Sequence, residues 1–201
     1  MCTDKTNITQ RRFVEIARLG EVIFHVSDLA NLWNINNSNT LYTTLKRYSQ
    51  AGLIHRIQKG MYSLIPVDDL DPSLLGIKAM HKYAYISTET VLFREGIINQ
   101  KPRSVTIISS ESKKFIITSN TYISRQLNDR YLFNPEGIHK SNKILTASVE
   151  RAAADLLYFN AKTYFDAANL INWERVSEIQ KSVGYTIRGT DTSSGFRSDF
   201  L

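Results

Sequence analysis

Four backbone breaks punctuate the first sixty residues: Gly20, the run Asn34-Ile35-Asn36-Asn37, Gly52 and Lys59-Gly60. They leave room for three helices and a hairpin, and for little else. Residues 9–19 place Phe13, Ile16 and Ala17 at helical spacing, with Thr9 as an expected N-cap and Gly20 as a stop. Val22-Ile23-Phe24 is β-prone. Ser27 is an expected cap for a short helix, Asp28–Trp33, whose Leu29, Leu32 and Trp33 face inward. The asparagine run is turn chemistry, because Asn tolerates left-handed backbone angles. Ser38 is the expected cap of a third helix reaching Gln50. Two β-prone runs, 54–58 and 61–65, flank Lys59-Gly60 as a hairpin.

Helix, short helix, tight turn, helix and hairpin, in that order, predict a winged helix-turn-helix, whose middle pair of helices is the unit that docks on DNA. At ~100° per residue, Leu41, Leu45 and Tyr48 fall on one arc of the third helix. The opposite arc carries Asn39, Thr43, Lys46, Arg47 and Gln50, flanked by Thr40 and Tyr42. No acid occurs between Asp28 and Asp68. A carboxylate there would repel phosphate, so this face fits a duplex. Arg47 has the planar fork that pairs with guanine, and Asn39 or Gln50 the amide that pairs with adenine. Thr40 and Thr43 suit phosphate or a thymine methyl, while Arg56 and Lys59 in the wing would track the backbone or minor groove. For any one of these residues alone, an ordinary solvated helix face explains as much.

Charge supports the same division. Residues 1–66 hold eight Lys/Arg against four Asp/Glu, and residues 67–201 hold seventeen against fifteen. The net charge of +6 favours a polyanionic partner. Between the two parts lies Pro66-Val67-Asp68-Asp69-Leu70-Asp71-Pro72, which reads as a loop. The expected organisation is a first domain over 1–66, a linker over 67–75, a mixed domain over 76–188 and a mobile tail over 189–201, giving an α+β chain. In the mixed domain a strand at 83–86 leads to a helix capped by Ser87. Strands are expected at 104–109, 115–118 and 121–127, and a mixed β-prone stretch at 138–146. Helices are expected from Ala147-Ser148 to Asn160 and over Trp173–Val183.

Other chemistry is sparse. Cys2 is the sole cysteine, so no internal disulfide forms, and His25, His55, His81 and His139 lack zinc-ligand spacing. No glycine-rich phosphate motif is present, and no cofactor is expected. No run approaches the ~20 apolar residues of a membrane helix. The polar N-terminus lacks a signal-peptide core, so the expected compartment is the cytoplasm, with no membrane partner. Glu111-Ser112-Lys113, after a β-prone run, is the one enzyme-like feature: a metal-dependent nuclease would use Glu111 and Lys113. The upstream aspartate is not evident, and a charged turn explains the run more simply. Residues 94–143 hold nine Lys/Arg and four acids, read as a solvated surface ahead of an extended nucleic-acid footprint.

Three runs carry a family resemblance. Tyr85-Ile86-Ser87-Thr88-Glu89-Thr90-Val91-Leu92, ending in Gly96-Ile97-Ile98, is one. Ala147-Ser148-Val149-Glu150-Arg151-Ala152 with Asp155-Leu156-Leu157-Tyr158 is the second. Leu53-Ile54, Arg56 and Lys59-Gly60-Met61-Tyr62 form the third. In this order they resemble the AbiEi-type antitoxins of type IV toxin–antitoxin systems, over about residues 9–188. The resemblance implies a repressor that binds inverted repeats in its own promoter as double-stranded DNA, as a monomer in solution or a dimer on DNA. It also implies a second domain that counters a nucleotidyltransferase-like toxin encoded nearby. Glu150, Arg151 and Asp155 are its motif residues there. Their spacing equally suits a structural ion pair between Arg151 and Asp155. A winged helix that binds only protein is the remaining alternative.

Overall fold

The computed structural model describes residues Thr3–Tyr185. Cys2, the tail expected over 189–201 and the end of the segment expected to reach 188 lie outside the described residues. The chain is α+β and divides into two compact units: Met1–His81 with Ile116–Asn120, and Lys82–Phe115 with Thr121–Leu201.

The first unit begins with α1 (Thr3–Leu19), β1 (Ile23–His25), α2 (Val26–Leu32) and α3 (Ser38–Gln50). It continues through β2 (His55–Gln58), β3 (Met61–Ser63) and α4 (Pro72–Met80). The strands form an antiparallel sheet in the order β1-β3-β2. Ile16, Leu29, Trp33, Leu41, Leu45 and Tyr48 from the helices meet Phe24, Ile54 and Tyr62 in one core. Arg12 closes one edge of it. Its guanidinium lies 5.2 Å from the centroid of the Trp33 ring and donates to the Tyr48 hydroxyl at 3.3 Å.

Several expectations shift. Helix α1 starts at Thr3, so Thr9 is inside it rather than at its cap. Helix α2 starts at Val26, and Asp28, not Ser27, does the capping work: its carboxylate accepts the His25 backbone N–H at 3.1 Å. Asn37 caps α3 instead of Ser38, accepting the Thr40 N–H at 3.1 Å. Asn34 adopts φ +51, the left-handed turn its residue type allows. The β2–β3 turn needs Gly60, whose φ of +78 would strain any residue with a side chain.

The stretch expected as a linker over 67–75 is ordered. A 3-10 turn spans Val67–Asp69. Asp71 then caps α4, accepting from Ser73 N–H at 2.7 Å and Leu74 N–H at 2.9 Å, with Pro72 at the first helical position. Proline punctuates loops and helix starts alike, and here it opens a helix.

The second unit holds β4 (Ala84–Ile86), α5 (Glu89–Arg94), β5 (Val105–Ser109) and, apart from Ile116–Asn120, β6 (Lys113–Ile117) and β7 (Asn120–Gln126). It then adds α6 (Asp129–Leu132), β8 (Ile138–Ser141), β9 (Ile144–Ala147), α7 (Val149–Phe159) and α8 (Trp173–Val183). The sheet runs β6-β7-β5-β4-β9-β8. It is mixed: β4 lies antiparallel to β5 and parallel to β9, β5 is parallel to β7, and β8 is antiparallel to β9. Helix α7 packs against α5, α8 and β9. Ser148 caps α7, accepting the Arg151 N–H at 3.1 Å. Ser87 does not cap α5. Its hydroxyl donates instead to the Asp155 carboxylate at 2.7 Å, and α5 starts two residues later. Among the described residues no helix is long and apolar enough to cross a membrane.

Candidate nucleic-acid interface

Helix α3 is pinned by one face. Leu41, Leu45 and Tyr48 are buried, which fixes the rotation of the helix about its own axis. Asn39, Thr40, Tyr42, Thr43, Lys46, Arg47 and Gln50 are therefore all solvent-exposed. Thr44, between them, turns its hydroxyl back onto its own helix and donates to the Thr40 carbonyl at 2.9 Å. In the hairpin, Arg56 on β2 and Lys59 in the turn are also exposed. All nine residues singled out in the sequence thus lie on the surface of the first unit.

Three acids of this unit, Glu15, Glu21 and Asp28, have partners away from α3, whereas the exposed Asp68 and Asp69 lie on the 3-10 turn that contacts β2. Glu15 pairs with Arg11 at 3.1 Å, and Glu21 pairs with Lys78 at 2.9 Å. Asp28 serves the α2 N-terminus and lies 3.5 Å from His81 Nε2. By contrast, Lys46, Arg47, Arg56 and Lys59 make no ion pair or side-chain hydrogen bond among the described residues.

The motif residues of the second unit behave differently. Arg151 and Asp155 are 0% exposed. Arg151 Nε donates to Asp155 Oδ1 at 2.8 Å, and its other nitrogens donate to the Glu136 carbonyl at 2.9 Å, the Asn134 carbonyl at 3.2 Å and the Tyr85 hydroxyl at 2.9 Å. The Tyr85 hydroxyl donates to Asp155 at 3.0 Å, and Tyr185 also donates to it. Burial, reinforced by the Asp155 charge, raises the phenols of Tyr85 and Tyr185, so both stay protonated donors. Burial is the largest single influence and works against the Arg151 charge, but Asp155, Tyr85 and Tyr185 together outweigh it. This cluster ties α7 to β4, to the loop before β8 and to the chain beyond α8. With no exposed surface, Arg151 and Asp155 cannot touch a partner; only Glu150, partly exposed, reaches the surface.

Lys113 lies near enough for its charge to act on Glu111, but the two form no ion pair. Glu111 pairs with Lys82 at 2.9 Å, and the Lys113 ammonium lies 5.5 Å from the centroid of the Phe115 ring. The Glu111 backbone closes a turn, its carbonyl accepting the Ser124 hydroxyl at 2.9 Å. Among the described residues no group of three His, Cys, Asp or Glu is placed to hold a metal ion.

A cleft of about 1270 Å³ in the second unit escaped the sequence reading. Its cations, Lys101, Arg103, Arg125 and Lys162, are far apart in the chain, and three of them fall in the basic stretch 94–143. Only the basic excess over 94–143 hinted at them.

No family model matches the chain, and no curated protein matches it. Among solved structures, the crystal structure of the RV2827C protein from Mycobacterium tuberculosis is similar, with a TM-score of 0.51 at 12% identity, over 88% of this chain and 73% of that one. At that identity the likeness concerns the fold alone.

Proposed function

We propose that the first unit is a winged helix-turn-helix and that the protein is a DNA-binding transcriptional regulator. One observation carries the reading. The outward face of α3 is polar or cationic throughout, and its Lys46 and Arg47 have no ion-pair partner among the described residues. In this reading α3 enters the major groove, where Arg47 reads a base and Asn39 or Gln50 reads another. Thr40, Tyr42, Thr43 and Lys46 contact the backbone beside it. Arg56 and Lys59 in the β2–β3 wing neutralise phosphates. Occupancy of the protein's own promoter excludes polymerase, and two copies on an inverted repeat double the contacts.

The test is binding of a labelled fragment of that promoter at two salt concentrations. Arg47→Ala is expected to cost about 1–3 kcal/mol and to relax preference at one base position. Lys59→Ala is expected to weaken all sequences alike and to reduce the salt slope by about one unit. If both variants bind as the parent does, α3 and the wing are not the DNA surface. If the parent shows no binding, the protein-interaction alternative takes over.

The antitoxin role extends this proposal on the strength of the sequence resemblance. It is tested by co-expressing the chain with a neighbouring nucleotidyltransferase-like reading frame. Rescue of growth by the full chain, and not by an Arg47→Ala-independent effect on toxin expression, supports it; growth arrest unaffected by the chain removes it.

A further inference from the structure

The cleft in the second unit is built from segments that a DNA-reading α3 does not involve. Its walls are the loop from Ile98 to Ser104, residues of β5 and β7, the C-terminal end of α7 and the loop from Asn160 to Asp166. Two hydrogen bonds tie these loops together. Ala167 N–H donates to the Ile97 carbonyl at 3.1 Å, and Asn99 N–H donates to the Asp166 carboxylate at 2.7 Å. Lys101 and Arg103 on one loop, and Lys162 on the other, therefore line a single concavity.

Its electrostatics are one-sided. Among the described residues two acids line it, and both are engaged: Glu89 accepts from Arg125 at 2.5 Å, and Asp166 holds the Asn99 amide. Lys101, Arg103 and Lys162 make no side-chain ion pair or hydrogen bond among the described residues. At the same cleft Tyr164 is 80% exposed, with no aromatic partner among the described residues. An unstacked ring beside three unpaired cations offers both halves of nucleotide recognition: a platform for a base and charge for its phosphates. The cations gather in one cleft rather than along a helix or groove, which suits phosphates stacked on one nucleotide better than phosphates spaced along a strand.

The geometry points to this cleft as a binding site for a nucleoside polyphosphate. Lys101, Arg103 and Lys162 hold the phosphates, and Tyr164 stacks on the base. Titration calorimetry on the full chain, with ATP, GTP and inorganic tripolyphosphate as separate probes, tests it. All the substituted residues are exposed, so folding is expected to survive, and circular dichroism checks it. The triple variant Lys101→Ala/Arg103→Ala/Lys162→Ala is expected to weaken ATP or GTP at least tenfold. Tyr164→Ala is expected to weaken the nucleotide roughly five- to hundredfold while leaving tripolyphosphate unchanged. No heat with either nucleotide, or equal binding by the triple variant, overturns the site. Equal nucleotide binding by Tyr164→Ala overturns the stacked pose. A single-stranded oligonucleotide that binds and is not displaced by ATP overturns the choice of a free nucleotide. Promoter binding is expected to persist in every one of these variants, so failure here is distinct from failure of the DNA-binding reading.

Discussion

Removing either partner of the buried Arg151–Asp155 pair is expected to cost more than any other single substitution in the second unit. Arg151→Met leaves the Asp155 carboxylate at zero exposure with only hydroxyl donors from Tyr85, Ser87 and Tyr185. It also leaves the carbonyls of Asn134 and Glu136 without their guanidinium. An unpaired buried charge costs about 3–5 kcal/mol, and each orphaned carbonyl adds about 1–3 kcal/mol where water cannot reach it. Asp155→Asn strands the guanidinium in the same way, at about 3–5 kcal/mol. Against a typical total of about 5–15 kcal/mol, either change leaves the unit marginal. The double variant Arg151→Met/Asp155→Asn removes both charges together, so its cost should fall below the sum of the singles by about 2 kcal/mol or more. Urea unfolding followed by fluorescence reads this directly. Trp33 belongs to the first unit and Trp173 to the second, so a Trp33→Phe background isolates the second transition. Single costs under about 1 kcal/mol, or strict additivity in the double, would refute the reasoning.

Other perturbations follow from the same packing. Leu45→Ala empties a fully buried site under α3 and should cost about 2–5 kcal/mol in the Trp33-reported transition, with promoter affinity falling alongside. Gly137→Ala should destabilise the second unit by more than about 1 kcal/mol, because at φ +70 its new Cβ would meet Arg151 Cβ at 2.7 Å; thermal melting reads it. Burial pushes the Glu89 carboxyl up, but hydrogen bonding at the start of α5 and the Arg125 guanidinium hold it below its ordinary value of 4.5. Its contribution is therefore full above that value and lost as pH falls through the lower folded value. Glu89→Gln should flatten the acid limb of the stability profile there, and an unchanged limb would remove Glu89 from the account.

Elements with strong local grammar were legible. The inward arc of α3 and the two-residue β2–β3 turn depend on nearest neighbours, and both lie where periodicity and Gly60 put them. Helix α7, beginning next to Ser148, and α8 over Trp173–Val183 also match. What failed was punctuation with two meanings. Asp71-Pro72 is a helix start as readily as a loop end, and α4 was hidden by reading it the second way. Ser87 failed for a tertiary reason: a carboxylate 68 residues away claimed its hydroxyl. The cleft was illegible because its cations come from two loops whose proximity depends on bonds such as Asn99 to Asp166, which no local pattern encodes.

Partnership sorts the cations of this chain into two kinds, and the sorting has a consequence that can be measured. Arg151 is desolvated and tolerable only because a carboxylate, carbonyls and a phenol surround it, so its presence is explained by folding. Arg47 is solvated and touches nothing charged, so folding gives no reason for it. Ordinary surfaces mix both signs, whereas the chain from Asp28 to Asp68 has no acid to answer its four cations. Stability and binding should then separate cleanly. Arg47→Ala is expected to stay within about 0.5 kcal/mol of the parent in urea unfolding while losing promoter affinity. Arg151→Met is expected to lose stability by several times that amount. An Arg47→Ala variant that melts early would mean the residue supports the fold after all, and its loss of binding would then say nothing about which surface meets DNA.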